Sequence, residues 1–279
     1  MNSIRMRFPG GRVKAFTMSY DDGVEQDVKL ISIMRYHALK GTFNLNSGQF
    51  APEDTVYPKG QVHRRMTQAA CVKTYTSYTG CEVAVHGSDH GFWDALPEGP
   101  RTLEIIRDRE ELEKVFDRLV RGAAYPYGTY NEQAIAALGS CGIEYCRTVS
   151  STHAFDLPER WLEWHPTCKH NDPALMELAD SFLNNDRGRT PLLFYLWGHS
   201  YEFEGADNWQ VIEAFADRIS GHADVWYATN IEIHDYAEAF RRLRFSAEGD
   251  RVFNPNCGRM WFAAEDNTYM VEPGQELKL

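Results

Sequence analysis

The sequence contains no long apolar run and comparatively little positive charge. None of its 279 residues falls in an apolar stretch of about eighteen, the length that a membrane-spanning helix needs. Lysine and arginine total 29 against 40 aspartates and glutamates, which gives a net charge of −11. Like charges repel, so this acidity disfavours phosphate backbones and anionic membranes. We therefore expect neither a nucleic acid nor a membrane as a partner.

Signatures of common cofactor sites and of disulfide frameworks are also missing. No GxGxxG follows a predicted strand and no GxxxxGK[ST] occurs, which argues against dinucleotide-binding and P-loop sites. The six cysteines include no CxxC pair, so we expect six reduced thiols. Residues 1–16 are basic and lack the apolar stretch of a secretory signal. These features predict a cytoplasmic protein.

Strand and helix patterns alternate along most of the chain. The first strand pattern covers residues 13–19, and the alternation continues to about residue 242. Such alternation predicts an α/β fold with a mostly parallel sheet, here a distorted (β/α) barrel over residues 1–243. Short alternating segments after it predict a small β-rich extension over residues 244–279. This extension could pair across a homo-oligomer or cover the barrel edge, and the sequence leaves both open.

Polar residues that can carry chemistry follow the predicted strands. They are Asp21, Asp22, His86, His90, Tyr127 and His199. In barrels of parallel strands, active sites assemble at the rim formed by the carboxyl ends of the strands. We therefore expect these side chains to share one site.

The spacing of His86 and His90 suits a metal site. Four residues apart, the two imidazoles can reach one ion, and two imidazoles with one carboxylate are a common ligand set for catalytic Zn²⁺ or Fe²⁺. Of the adjacent Asp21 and Asp22, one can bind the ion while the other takes a proton from bound water. The alternative is a pair of hydrogen-bonded histidines at the start of a helix.

Four segments together resemble the ordered motifs of the polysaccharide deacetylase family, which is carbohydrate esterase family 4. They are SYDDG at 19–23, HGSDH at 86–90, AAYPYG at 123–128 and LWGH at 196–199. The resemblance extends over roughly residues 10–240. It implies the distorted barrel of that family and a metal-dependent hydrolase that removes an N- or O-acetyl group from a carbohydrate.

The resemblance also implies a role for each motif residue. Asp21 would be the general base, acting on a metal-bound water that attacks the acetyl carbonyl, and His199 the general acid. Tyr127 would give a backbone N–H to the oxyanion. The implied ligands of one divalent ion are Asp22, His86 and His90. Zn²⁺ is favoured, with Co²⁺, Ni²⁺ and Fe²⁺ left open.

Five residues near these motifs are predicted to contact the substrate. They are Tyr20, Trp93, Tyr125, Leu196 and Trp197. The resemblance makes Leu196 part of an acetyl-sized pocket. The aromatic residues could line a sugar groove, with core packing as the alternative.

The sequence departs from the family pattern at two places. The family commonly has an arginine three residues before the motif tyrosine, where it holds the base; here Ala124 stands there, and Arg121 or Arg147 could replace it. Without such an arginine the pKa of Asp21 should rise. The family usually has serine or threonine after the first histidine, where this chain has Gly87. Two alternatives therefore stay open: a hydrolase of a small non-sugar cyclic amide, and a non-catalytic carbohydrate-binding relic.

Overall fold

The computed structural model describes residues 4–185, 190–265 and 267–279. Within these ranges the strands are β1 (Ile4–Arg7), β2 (Lys14–Asp21), β3 (Gly41–Leu45), β4 (Cys81–Val85), β5 (Gly122–Ala124), β6 (Tyr145–Arg147), β7 (Cys168–Lys169), β8 (Leu192–Gly198), β9 (Val225–Tyr227), β10 (Arg244–Phe245), β11 (Arg251–Phe253), β12 (Met260–Ala264), β13 (Asn267–Val271) and β14 (Glu276–Lys278). The α-helices are α1 (Asp27–Tyr36), α2 (Gln68–Thr76), α3 (Glu98–Phe116), α4 (Glu132–Ser140), α5 (Leu175–Leu183), α6 (Tyr201–Gly205), α7 (Gln210–Ile219) and α8 (Asn230–Arg241). No helix in these ranges is long and apolar enough to cross a bilayer.

A parallel sheet forms the centre of the molecule. Its strands run in the order β6-β5-β4-β3-β2-β8-β7, and β9 also pairs with β2. Strand β2 is buried at every position and β8 likewise, because helices cover the sheet and neighbouring strands flank both. The sheet is a curled half-barrel with β6 and β7 at its two ends. The predicted α/β fold with a distorted barrel is thus confirmed.

The parallel register brings the carboxyl ends of the central strands to one rim. Asp21 pairs with Asn44 at the ends of β2 and β3, while Leu45 pairs with Val85 at the ends of β3 and β4. On the other side of β2, Tyr20 pairs with Gly198. The residues that follow these strands therefore meet in one place.

The remaining strands are antiparallel and form two small sheets, β1-β12-β13 and β10-β11-β14. Their buried side chains make a hydrophobic cluster separate from the barrel core. Strand β1 belongs to this part, since Ile4 lies opposite Ala264. The boundary between residues 243 and 244 stays a prediction, and the pairing of β1 shows that the amino-terminal strand contacts the extension.

Candidate active site

Three potential metal ligands converge at the rim. The ligand atoms of Asp22, His86 and His90 all lie within 4.8 Å of one another. Nε2 of His90 is 3.2 Å from Nε2 of His86. Two imidazole nitrogens and a carboxylate oxygen at this separation fit a single divalent cation.

The protonation of the two histidines supports this fit. Nδ1 of His86 donates to the carbonyl oxygen of Ala124 at 2.9 Å, which leaves the lone pair on Nε2 facing the site. Burial lowers the pKa of His86. Burial, followed by the nearby His86, lowers the pKa of His90 to about 4. Both imidazoles are therefore neutral near pH 7, the form that binds metal.

Asp22 is held in place by two residues from the polar loop that precedes α2. Nη2 of Arg65 lies 3.0 Å from its Oδ1, and Nε2 of His63 lies 3.2 Å from its Oδ2. Burial opposes ionisation, but these partners outweigh it and hold the pKa of Asp22 far below its usual range. The backbone of Asp22 has φ +87°, a left-handed conformation that is unfavourable for a residue with a Cβ.

Of the two candidate arginines, Arg147 is the one that lies beside Asp21. Its Nη2 lies 2.7 Å from Oδ1 and 2.5 Å from Oδ2 of Asp21, and Asn44 donates to Oδ1 at 2.7 Å. Burial would raise the pKa of Asp21, but Arg147 and the nearby histidines outweigh it, so the pKa is lowered. The pKa of Asp21 was expected to rise if no arginine lay beside it. It does not rise, because Arg147 at the end of β6 supplies the positive charge that Ala124 lacks. Arg121 instead binds Asp235, with Nη2 2.6 Å from its Oδ2.

His199 lies between Asp21 and a second carboxylate, Glu202. Its Nε2 is 3.7 Å from Oδ2 of Asp21, and its Nδ1 is 3.1 Å from Oε1 of Glu202. Glu202 also accepts from Nζ of Lys169 at 2.8 Å and lies 3.0 Å from Nε2 of His170. Burial would lower the pKa of His199, but the effects of Glu202 and Asp21 are larger, so the pKa is raised.

The contact between His170 and Glu202 requires a glycine at position 198. A Cβ at Gly198 would lie 1.9 Å from Nδ1 of His170, closer than any real contact. His170 can therefore reach Glu202 only because residue 198 has no side chain.

The loop that carries the two ligand histidines is supported by side chains from outside it. Asp108 accepts from the amide of His86 at 3.0 Å, and Asn46 donates to the carbonyls of His86 and Gly87 at 2.6 and 2.7 Å. Glu104 accepts two further loop amides at 2.9 Å each. Gly87 has φ +80°, and a Cβ there would lie 3.0 Å from Oε1 of Glu104. These contacts support the loop without a side chain at position 87.

Tyr127 lies at the outer edge of the site. Its ring centroid is 4.4 Å from that of His90, at an interplanar angle of 66°. The residue is about half exposed and has φ +58°. The part of the site next to His90 is therefore open to solvent.

Four of the predicted substrate contacts have side chains that are enclosed in the core, and their contact with a substrate stays a prediction. Tyr20, Trp93, Tyr125 and Leu196 are each at most 1 % exposed and belong to the main hydrophobic cluster. Trp197 is also buried and lies under the guanidinium of Arg147, whose Cζ is 4.5 Å from its ring centroid. These side chains pack in the core next to the site.

Several residues of the site were not predicted from the sequence. Glu202 had a signal, because a glutamate three residues after His199 can reach it on one helical turn. His63 and Arg65 had none, since their approach to Asp22 depends on how a long loop folds back. The choice of Arg147 over Arg121 had a signal, since Arg147 ends a strand at the rim and Arg121 precedes one.

Comparisons with known proteins agree with the fold. Residues 10–146 match the family model described as polysaccharide deacetylase. A Mycobacterium smegmatis structure named as a polysaccharide deacetylase is similar at TM-score 0.59 and 18% identity, covering 85% of this chain and 94% of that one. A family 4 carbohydrate esterase from Streptomyces lividans, solved with acetate, is similar at TM-score 0.51 and 15% identity, covering 76% and 90%. At these identities the structural likeness concerns the fold alone. No curated protein matches the chain.

Proposed function

Because residues 10–146 match the polysaccharide deacetylase family model, we propose that the protein is a metal-dependent hydrolase that removes N- or O-acetyl groups from a carbohydrate. The observation that carries the proposal is the adjacency of two sets of groups. A cluster able to bind a cation, formed by Asp22, His86 and His90, adjoins Asp21 and His199, whose Oδ2 and Nε2 lie 3.7 Å apart. A non-catalytic carbohydrate-binding relic would need no paired acid and base.

The proposed metal ligands are Asp22, His86 and His90. A bound divalent ion lowers the pKa of water and polarises a carbonyl oxygen, the chemistry that hydrolysis of an acetyl group needs. Zn²⁺ is the first candidate, and Co²⁺, Ni²⁺ and Fe²⁺ suit the same donors. His86 is oriented for this role by the carbonyl oxygen of Ala124.

Asp21 is the proposed general base. Its lowered pKa keeps it ionised at neutral pH, and its contact with Arg147 and Asn44 fixes the direction of the carboxylate. A fixed, ionised carboxylate can accept a proton at Oδ2, the oxygen nearer His199.

His199 is the proposed general acid. Its raised pKa favours the protonated imidazole, which can donate from Nε2 to the departing amine or alcohol of the sugar. Glu202 is a positioning residue, because it accepts from Nδ1 and so directs Nε2 towards Asp21. The backbone N–H of Tyr127 is proposed to stabilise the oxyanion, and loss of one such donor costs about 3 kcal/mol in a known enzyme.

Substitution of a proposed metal ligand tests this function. We expect Asp22→Ala to abolish stoichiometric binding of Zn²⁺ and the release of acetate from N-acetylglucosamine oligomers, because the only carboxylate of the ligand set is removed. Metal content and acetate release are measured on the same preparation, and small cyclic amides are assayed in parallel.

A matched control separates ligand loss from loop damage. Asp89→Ala removes an exposed carboxylate from the same loop as His86 and His90, and we expect it to keep both metal and activity. If Asp22→Ala keeps both, the ligand assignment is wrong; hydrolysis of cyclic amides alone would move the substrate class away from sugars. Cytoplasmic location and oligomeric state remain predictions.

A further inference from the structure

Two exposed aromatic rings stack on each other beside the candidate metal ligands. The ring centroids of Phe92 and Tyr127 are 3.9 Å apart and their planes differ by 11°. The two residues are 47% and 55% exposed, so the stack is open to solvent although each ring covers part of the other. Tyr127 also contacts the ring of His90, which places the stack directly next to the ligand cluster.

The stack is held by hydrogen bonds between the two loops that carry it. Asp94, two residues after Phe92, accepts from Oγ1 of Thr129 at 2.7 Å through its side chain. Its carbonyl oxygen accepts from Nδ2 of Asn131 at 3.0 Å. Thr129 and Asn131 closely follow Tyr127, so these bonds fix the two loops against each other.

The loop of Phe92 is also anchored from below. Arg101, itself 7% exposed, donates from Nε to the carbonyl oxygen of Trp93 and from Nη2 to that of Leu96, both at 2.6 Å. Trp93 is fully buried directly after Phe92. The ring of Phe92 thus stands on a rigid base, which reduces the ordering cost of binding a ligand.

Tyr127 presents its ring from a strained backbone. Its φ of +58° is in the left-handed region, which residues with a Cβ rarely adopt. Such strain persists where the surrounding structure enforces it, and it is concentrated at functional sites. By contrast Tyr36, the most exposed aromatic residue in the described part of the chain, has an edge contact with its neighbour His37.

We propose that the stacked rings of Phe92 and Tyr127, the aromatic platform, bind a pyranose ring of the substrate. The negative face of an aromatic ring attracts the weakly positive C–H groups on one face of a sugar, while the sugar hydroxyls stay in water. A neutral, open and rigid pair of rings suits this contact. Because the platform adjoins His90, the bound sugar is the acetylated unit or its immediate neighbour, an assignment that rests on the proposed function.

Direct binding tests the platform without requiring turnover. Titration calorimetry with a glucosamine trimer and with xylotriose measures the Kd of the metal-loaded wild type and of Phe92→Ala. We expect Phe92→Ala to weaken binding of at least one of these sugars about three- to tenfold, the range typical of an aromatic contact. Phe92→Trp should restore the Kd because it restores an aromatic face. Tyr36→Ala removes an aromatic ring elsewhere and should leave the Kd unchanged.

Kinetics give a second readout. For Phe92→Ala, the ratio of kcat/KM for acetate release from an N-acetylglucosamine oligomer to that for methyl acetate should fall by a similar factor, since methyl acetate has no ring that could stack on Phe92. Thermal unfolding of each variant reports whether the loop still folds. If Phe92 had a merely structural role, its substitution would change kcat/KM for both substrates by the same factor and leave the ratio constant.

The outcomes separate this inference from the proposed function. Sugar binding that depends on Phe92, without acetate release by the wild type, would support the platform and overturn the hydrolase. Acetate release from sugars with a Kd and a ratio indifferent to Phe92→Ala would overturn the platform and leave the hydrolase intact. Absence of sugar binding by the wild type would also overturn the platform.

Discussion

The two halves of the candidate site differ in how they are held. The inner half, around Asp21 and His199, is mostly enclosed and built from charges that neutralise one another. Arg147 pairs with the buried Asp21, and Lys169 pairs with the partly exposed Glu202. The outer half, next to His90, is open to solvent and built from stacked rings. Removing a buried partner leaves an uncompensated charge, whereas removing an exposed ring leaves water in its place. Stability should therefore depend on the inner half and substrate affinity on the outer half.

The strongest test of this difference is Arg147→Ala. It leaves the buried carboxylate of Asp21 without its cation, and loss of one partner of a buried pair typically costs about 3–5 kcal/mol of unfolding free energy. Chemical denaturation measures the change. Arg121→Ala removes a partly exposed arginine from Asp235 and should cost less than about 1 kcal/mol. Equal losses for the two variants would mean that burial does not distinguish them.

Gly198→Ala is expected to have the next largest effect. The added methyl group meets Nδ1 of His170, and forced overpacking typically costs about 1–3 kcal/mol. Because His170 would have to leave Glu202, acetate release should fall as well as the unfolding free energy. Gly99→Ala is the control, since a Cβ there meets no atom within 4 Å and Gly99 lies in a helix. A variant of Gly198 as stable and active as the wild type would contradict the packing argument.

Glu202→Gln should leave the fold in place and change the chemistry. Removing this carboxylate lowers the pKa of His199, so the alkaline limb of the pH profile for acetate release should move to lower pH. We expect about a tenfold loss of kcat near neutral pH for an N-acetyl substrate, a fraction of what a general acid contributes. Hydrolysis of 4-nitrophenyl acetate should suffer less, because its leaving group needs no proton.

The neighbouring Glu204→Gln provides the control for this effect. Glu204 pairs with Arg64 and belongs to the same helix, but no contact joins it to His199. Its substitution should leave the alkaline limb unmoved. A profile that is the same in Glu202→Gln and in the wild type would show that Glu202 does not act through His199.

The sequence predicts the main residues of the inner half, because these residues lie at the ends of predicted strands. Asp21 ends β2, and Asp22, His86 and His199 directly follow strands, so a parallel sheet brings these residues together independently of how the loops fold. The same rule distinguishes the two candidate arginines once the strand bounds are known. Arg121 precedes β5 and so lies at the amino end of its strand, whereas Arg147 ends β6 at the rim that carries Asp21.

The outer half and the extension are less predictable, because they depend on contacts between segments that no local pattern connects. The carbonyl oxygen of Trp93 accepts a hydrogen bond from Arg101, which α3 supplies from outside the motif. The pairing of β1 with β12 joins segments more than two hundred residues apart, and a short amphipathic strand does not specify so distant a partner. Local patterns predict elements and strand ends, while contacts between loops require the folded chain.

A metal titration of the wild-type protein tests whether the release of acetate depends on one bound ion. The protein is stripped with a chelator, titrated with Zn²⁺, and assayed at each step for bound ion and for acetate released from an N-acetylglucosamine oligomer. We expect acetate release to be absent without the ion and to rise with the occupancy of the metal site until one ion is bound per chain. Acetate release that persists in the stripped protein, or an ion that binds stoichiometrically without any effect on acetate release, would contradict this expectation.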